Sequence, residues 1–174
     1  MRPRPAVIGV SSTAAAAVLG NAFIGREAMG WFKGLQRPRG QLSMPAFVTV
    51  GAAYYIVMGY VLSRALDRGE PRSIRWAATV LAGNEAWNML LFRRRSPGNA
   101  FFGLLAFLPP LGCLQRAVWP DRPSRWALLP YTVYVLAYDV PWSYRLWRLN
   151  PTAAPPRSGG PDRQNRFGAA TASP

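Results

Sequence analysis

The stretch IRWAATVLAGNEAWNMLLF, residues 74–92, constrains the fold more than any other part of the chain. It matches the length a bilayer-crossing helix needs, roughly 20 residues. Yet its middle carries Asn84, Glu85 and Asn88 around Trp87. Polar groups at that depth are costly unless they face a bundle interior or a wet cavity. On a helix, positions 84, 87, 88 and 91 share a face, because neighbours recur at three and four residues. Two amides, an indole and a leucine occupy that face, with Glu85 to one side. We expect it to line a small-molecule cavity between helices.

Four more apolar runs surround this one, giving expected spans at 5–25, 44–66, 100–118 and 125–147. The first is rich in Ala and Gly, which suits close helix packing. Its charged start and small residues also resemble a signal peptide; we read it as a helix. The second opens on Pro45, harmless in a first turn. The fourth holds Pro109 and Pro110, expected to kink it. Between the first two spans, Trp31, Phe32 and Leu35 suggest a short amphipathic turn. The result is an all-α membrane protein: a five-transmembrane-helix bundle over residues 1–150, then a Pro/Gly/Ser-rich tail, 151–174, expected to be disordered.

The charge balance, 21 Lys and Arg against 7 Asp and Glu, would suit nucleic acid in a soluble chain. Here the charges sit between apolar runs, as the positive-inside rule describes for membrane proteins; no nucleic-acid partner is expected. Twelve basic residues fall on the C-terminal side of five spans and seven on the other, so a cytoplasmic C-terminus is expected. With one cysteine, Cys113, and no histidine, internal disulfides, Cys/His zinc sites and His-based triads are excluded. No metal and no required cofactor are expected.

Several short patterns occur in order. They are Trp31-Phe32-x-x-Leu35-x-x-Pro38, Tyr55-x-x-Met58-Gly59, Asn84-x-x-Trp87 with Leu91-Phe92, Pro130-Tyr131-x-x-Tyr134, and Trp147-Arg148-Leu149-Asn150. Together they resemble the TspO/MBR family, the tryptophan-rich sensory proteins and translocator proteins, over residues 31–150. The resemblance implies a membrane receptor or translocator for porphyrins, sterols or benzodiazepine-type drugs, held in a cavity among five helices, often as a homodimer. It implies a binding site formed by Trp31, Phe32, Gly51, Tyr55, Asn84, Trp87, Asn88, Tyr131, Tyr134 and Tyr138. It also carries over a sterol pattern, Val140, Tyr144 and Arg148. The chain departs from the family pattern at Arg39 and Gly51, where Trp is usual, and at Gly83 and Asn88. Glu85 and Asp139 are acidic where neutral residues are usual. The expected pocket is roomier near the second span and more acidic.

Bland readings stand beside these. Asn84 and Asn88 suit interhelical hydrogen bonding as well as ligand contact. Glu85 suits pairing with Arg116 or with another helix's hydroxyls. Asp139 suits capping of backbone freed by Pro141, and the stripe that Tyr131, Tyr134, Tyr138 and Pro141 form at helical spacing suits plain packing. A membrane enzyme acting on a tetrapyrrole or lipid, with Glu85 and Asp139 as acid and base, and a regulatory subunit without a ligand are the alternatives.

Overall fold

The computed structural model describes residues 5–22 and 24–151, and every regular element among them is helical. The expected C-terminal disorder lies outside the described residues from 152 onward. Helix α1 spans Pro5–Ala22, α2 Arg26–Gly34, α3 Met44–Asp67, α4 Pro71–Asn88, α5 Pro97–Ala117, α6 Arg122–Tyr134 and α7 Val140–Leu149. A π turn, Met89–Arg93, extends α4, and another, Val135–Asp139, joins α6 to α7 into one rod. Five long rods and the short α2 therefore make up the described chain.

Prolines start most of these rods. Ser43 caps α3 by accepting from the Ala46 N–H at 3.4 Å, and Ser96 caps α5 by accepting from the Asn99 N–H at 3.2 Å. Pro45, Pro71, Pro97 and Pro123 occupy first-turn positions, where the missing N–H costs nothing. Three rods therefore begin about three residues before the expected boundaries 74, 100 and 125. Helix α5 continues through Pro109 and Pro110. The π turn before α7 ends just short of Pro141, which has no N–H for the turn behind it; a widened turn relieves that clash.

Helix α1 packs on α3 and α4, α4 on α5, α5 on α7, and α3 also on α6. Two apolar clusters result. The larger is built on Met58, Val61, Val80, Leu111, Leu114 and Leu128. The smaller gathers Ala28, Phe32, Leu91, Phe92, Trp142 and Leu146 under α2. Trp87 packs against both. Met44–Asp67 and Pro97–Ala117 are long and apolar enough to cross a membrane on their own.

At the end away from α2, Arg64 grips Asp121 through two hydrogen bonds, Nε to Oδ2 at 2.8 Å and Nη2 to Oδ1 at 2.7 Å. Arg68 adds a contact at 3.4 Å, and the Ser124 hydroxyl donates to the same carboxylate. The Arg64 guanidinium holds the Asp121 carboxyl well below the usual carboxylate range. Arg64 thereby ties α3 to the start of α6.

Candidate functional site

A cavity of about 490 Å³ lies between the two clusters, within the range of small-molecule sites. Helix α1 contributes Ala17 and Gly20; α3 contributes Met44, Phe47, Gly51, Tyr54 and Tyr55. Helix α4 and its π turn supply Asn84, Trp87, Asn88, Leu91 and Phe92. Tyr131, Tyr134, Asp139 and Trp142 come from the α6–α7 rod, and Met29 and Phe32 from α2. Both π turns thus deliver side chains to this wall. Such turns recur at functional sites because one extra residue re-aims the side chains that follow.

The face predicted around Trp87 does turn inward: Asn84, Trp87, Asn88 and Leu91 all line the cavity. Gly51 is on the opposite wall, and a Cβ there would meet nothing within 4 Å. Open space stands beside Gly51, where the expected pocket is roomier. The indole N–H groups of Trp87 and Trp142 are buried without a hydrogen-bond acceptor. Such donors are expensive to leave unpaired, and both belong to the cavity wall.

Glu85 stands directly behind that wall. Its Oε1 accepts from the Tyr55 hydroxyl at 2.7 Å and the Asn84 amide at 3.2 Å. The Asn84 amide also reaches the Tyr55 oxygen at 3.3 Å. Oε2 is buried against Gly20 of α1 and makes no hydrogen bond. The pairing with Arg116 is not what forms: Arg116 is exposed at the far end of α5, and a hydroxyl of α3 takes its place. Asp139 lines the cavity beside the Tyr134 hydroxyl.

Two residues expected in the site sit elsewhere. Trp31 and Phe32 are neighbours about 100° apart on α2, so only one can face inward. Phe32 does, 5.6 Å from the Phe92 ring and 6.5 Å from that of Trp142. Trp31 lines a shallow groove with Leu35, Leu149 and Asn150. Tyr131, Tyr134 and Tyr138 stack in sequence, at 6.5 and 5.3 Å. Beyond the π turn, however, the Tyr138 hydroxyl leaves the cavity, accepting from the Leu42 N–H at 2.8 Å and donating to the Gly40 carbonyl at 3.3 Å.

Tyr138 is one of three ties holding the 26–43 segment across this end. Asn150 is the second: its side chain accepts from the Gln36 N–H at 2.9 Å and donates to the Gln36 carbonyl at 3.0 Å. The third is the ion pair of Glu27 with Arg95 at 2.7 Å. None of these partnerships was assigned from the sequence. The sterol-pattern residues lie apart from the cavity. Val140 packs on the larger cluster, Arg148 is exposed, and Tyr144 joins Phe101 and Trp147 in an aromatic cluster between α5 and α7. Cys113 is a free, half-buried thiol.

No curated protein matches the chain. The family model of TspO/MBR matches residues 8–148, nearly all of the helical chain and every cavity-lining element. The chain therefore belongs to the TspO/MBR family of membrane sensory and translocator proteins.

Proposed function

We propose that this protein is an integral membrane receptor or translocator that holds a planar hydrophobic ligand, a porphyrin or a sterol, in the cavity between its two apolar clusters. One observation carries the reading: an apolar space of about 490 Å³ into which the polar face of α4 is turned. Aromatic rings on several sides suit a flat molecule. Few fixed polar groups and a large apolar surface are what ligand sites look like.

In this reading all five long rods cross the bilayer, with lipid around them and the C-terminus in the cytoplasm. Helix α1 falls short of crossing alone by the length of its apolar part, Val7–Gly20; α4 and α6–α7 carry inward polar groups or broken turns, which the bundle shields. The role is binding, without a chemical step. A reporter fused after Pro174 tests the orientation; activity confined to the outer side of the membrane refutes it.

Protoporphyrin added to the purified protein in detergent should quench tryptophan fluorescence saturably. Trp87→Ala should weaken the binding. Absence of quenching up to roughly 100 µM, a range that covers weak small-ligand sites, overturns the proposal. So does a Trp87→Ala variant with an unchanged binding curve.

A further inference from the structure

We propose that the cavity selects an organic cation: a flat aromatic molecule bearing a permanent positive charge, seated on the aromatic wall with that charge against Asp139. The inference rests on the ligand-cavity reading above and names the class of molecule the cavity prefers.

The wall has a lopsided chemistry. Nine of its side chains are aromatic, Asp139 is its carboxylate, and neither Lys nor Arg contributes to it. Among the described residues, the ion pairs join Arg64, Arg68 and Arg95 to Asp121, Glu70 and Glu27, and none includes Asp139. The Tyr134 hydroxyl beside Asp139 offers a hydrogen bond but no charge. A second carboxyl, Glu85, stands behind the wall, touching it through Tyr55 and Asn84.

A carboxylate without an ion partner in apolar surroundings is costly unless it takes up a proton or an opposite charge arrives, so the preference is read at a pH where the carboxyl is ionised. Aromatic rings attract cations through the negative faces of their π systems, more strongly where water is excluded. Tyr131 and Tyr134 stack as neighbouring rings just before Asp139, and Trp142 follows it by one helical turn. Rings next to one acid, with no competing base, form the arrangement that recognises quaternary or heteroaromatic nitrogen cations. A molecule of the same shape with a carboxylate in the place of that positive charge meets repulsion from Asp139 instead; a porphyrin's propionates sit at the rim of its ring, away from the faces that stack on the wall.

Three probes of one skeleton separate shape from charge: N-methylacridinium, neutral acridine and acridine-9-carboxylate. Binding is measured on the purified full chain in a non-ionic detergent at mildly alkaline pH, where acridine is uncharged. Wild type should bind the cation tightest and the anion weakest, the cation leading neutral acridine by about tenfold, or about 1.4 kcal/mol. Asp139→Asn should abolish the lead while leaving neutral acridine unchanged, and Asp139→Glu should keep it. The wild-type ranking decides by itself if Asp139→Asn does not fold. Neutral acridine binding as tightly as the cation overturns the inference, as does Asp139→Asn weakening both probes equally. If the three acridine probes bind equally well, or protoporphyrin binds and none of them does, this inference falls and the cavity reading stands. If neither the three probes nor protoporphyrin binds, both fall.

Discussion

Gly51→Trp is the sharpest test of where the ligand sits. A Cβ at residue 51 would meet nothing within 4 Å, and the residue lines the 490 Å³ cavity, so an indole there has room to enter. A fully enclosed tryptophan buries about 150–250 Å². Taking about 100 Å² as newly covered, at about 25 cal/mol per Å², the indole contributes about 2.5 kcal/mol. Removing a mid-helix glycine adds roughly 0.5–1 kcal/mol. The empty variant should therefore melt higher than wild type. A ligand that needs the same volume must push the indole out, forfeiting about 2.5 kcal/mol and hence about 60-fold in affinity. The control is Ile56→Trp on the same helix, at a position 73% exposed and absent from the cavity wall. Thermal unfolding and porphyrin titration of both variants read the result. Gly51→Trp binding as well as wild type, or Ile56→Trp losing as much, would refute the placement.

Other perturbations bear on the scaffold. Asp121 is held below its ordinary carboxylate value of 3.8 by Arg64, so its contribution to stability is complete above that value. It is lost as pH falls toward the lower folded value, and Asp121→Asn should lower the melting temperature at neutral pH while flattening this acid-side decline; an unchanged acid limb argues against it. Tyr138→Phe removes the bonds to Leu42 and Gly40 and should speed tryptic cleavage after Arg39 without unfolding the bundle, as followed by gel; cleavage at the wild-type rate counts against the tie. Gly20→Ala would drive a methyl into the Glu85 carboxylate and to 2.9 Å from the Tyr55 hydroxyl, costing about 1–3 kcal/mol. The cost should shrink in a Glu85→Ala background; strictly additive melting shifts would show that the two do not meet.

The inward face of α4 was legible because it needs only local information: a helical period and a set of side chains too polar for lipid. Phe32, Gly51, Tyr55, Tyr131 and Tyr134 came from family spacing, and the structure places all five on the cavity wall. Tyr138 was misplaced because a stripe drawn at 3.6 residues per turn assumes an unbroken helix. The π turn Val135–Asp139 inserts an extra residue and shifts the phase. Trp31 was misplaced because adjacent residues on a short helix compete for one inward direction. The rod starts at Pro71, Pro97 and Arg122 lie in turn-type residues, whereas the expected boundaries follow the apolar runs, at or one residue before their first apolar side chain. The bonds of Arg64 to Asp121 and of Asn150 to Gln36 join residues 57 and 114 positions apart. Nothing in local pattern encodes such partnerships, since they depend on how the rods are arranged.

The space between the two apolar clusters also gives the protein a mechanical character. An unfilled interior volume is eliminated when a fold opens, so hydrostatic pressure favours the state without it. The empty protein should thus be softer under compression than a solid bundle of equal length, yielding first around Trp87, where the clusters meet. An occupant that fills the space should make that seam less compressible.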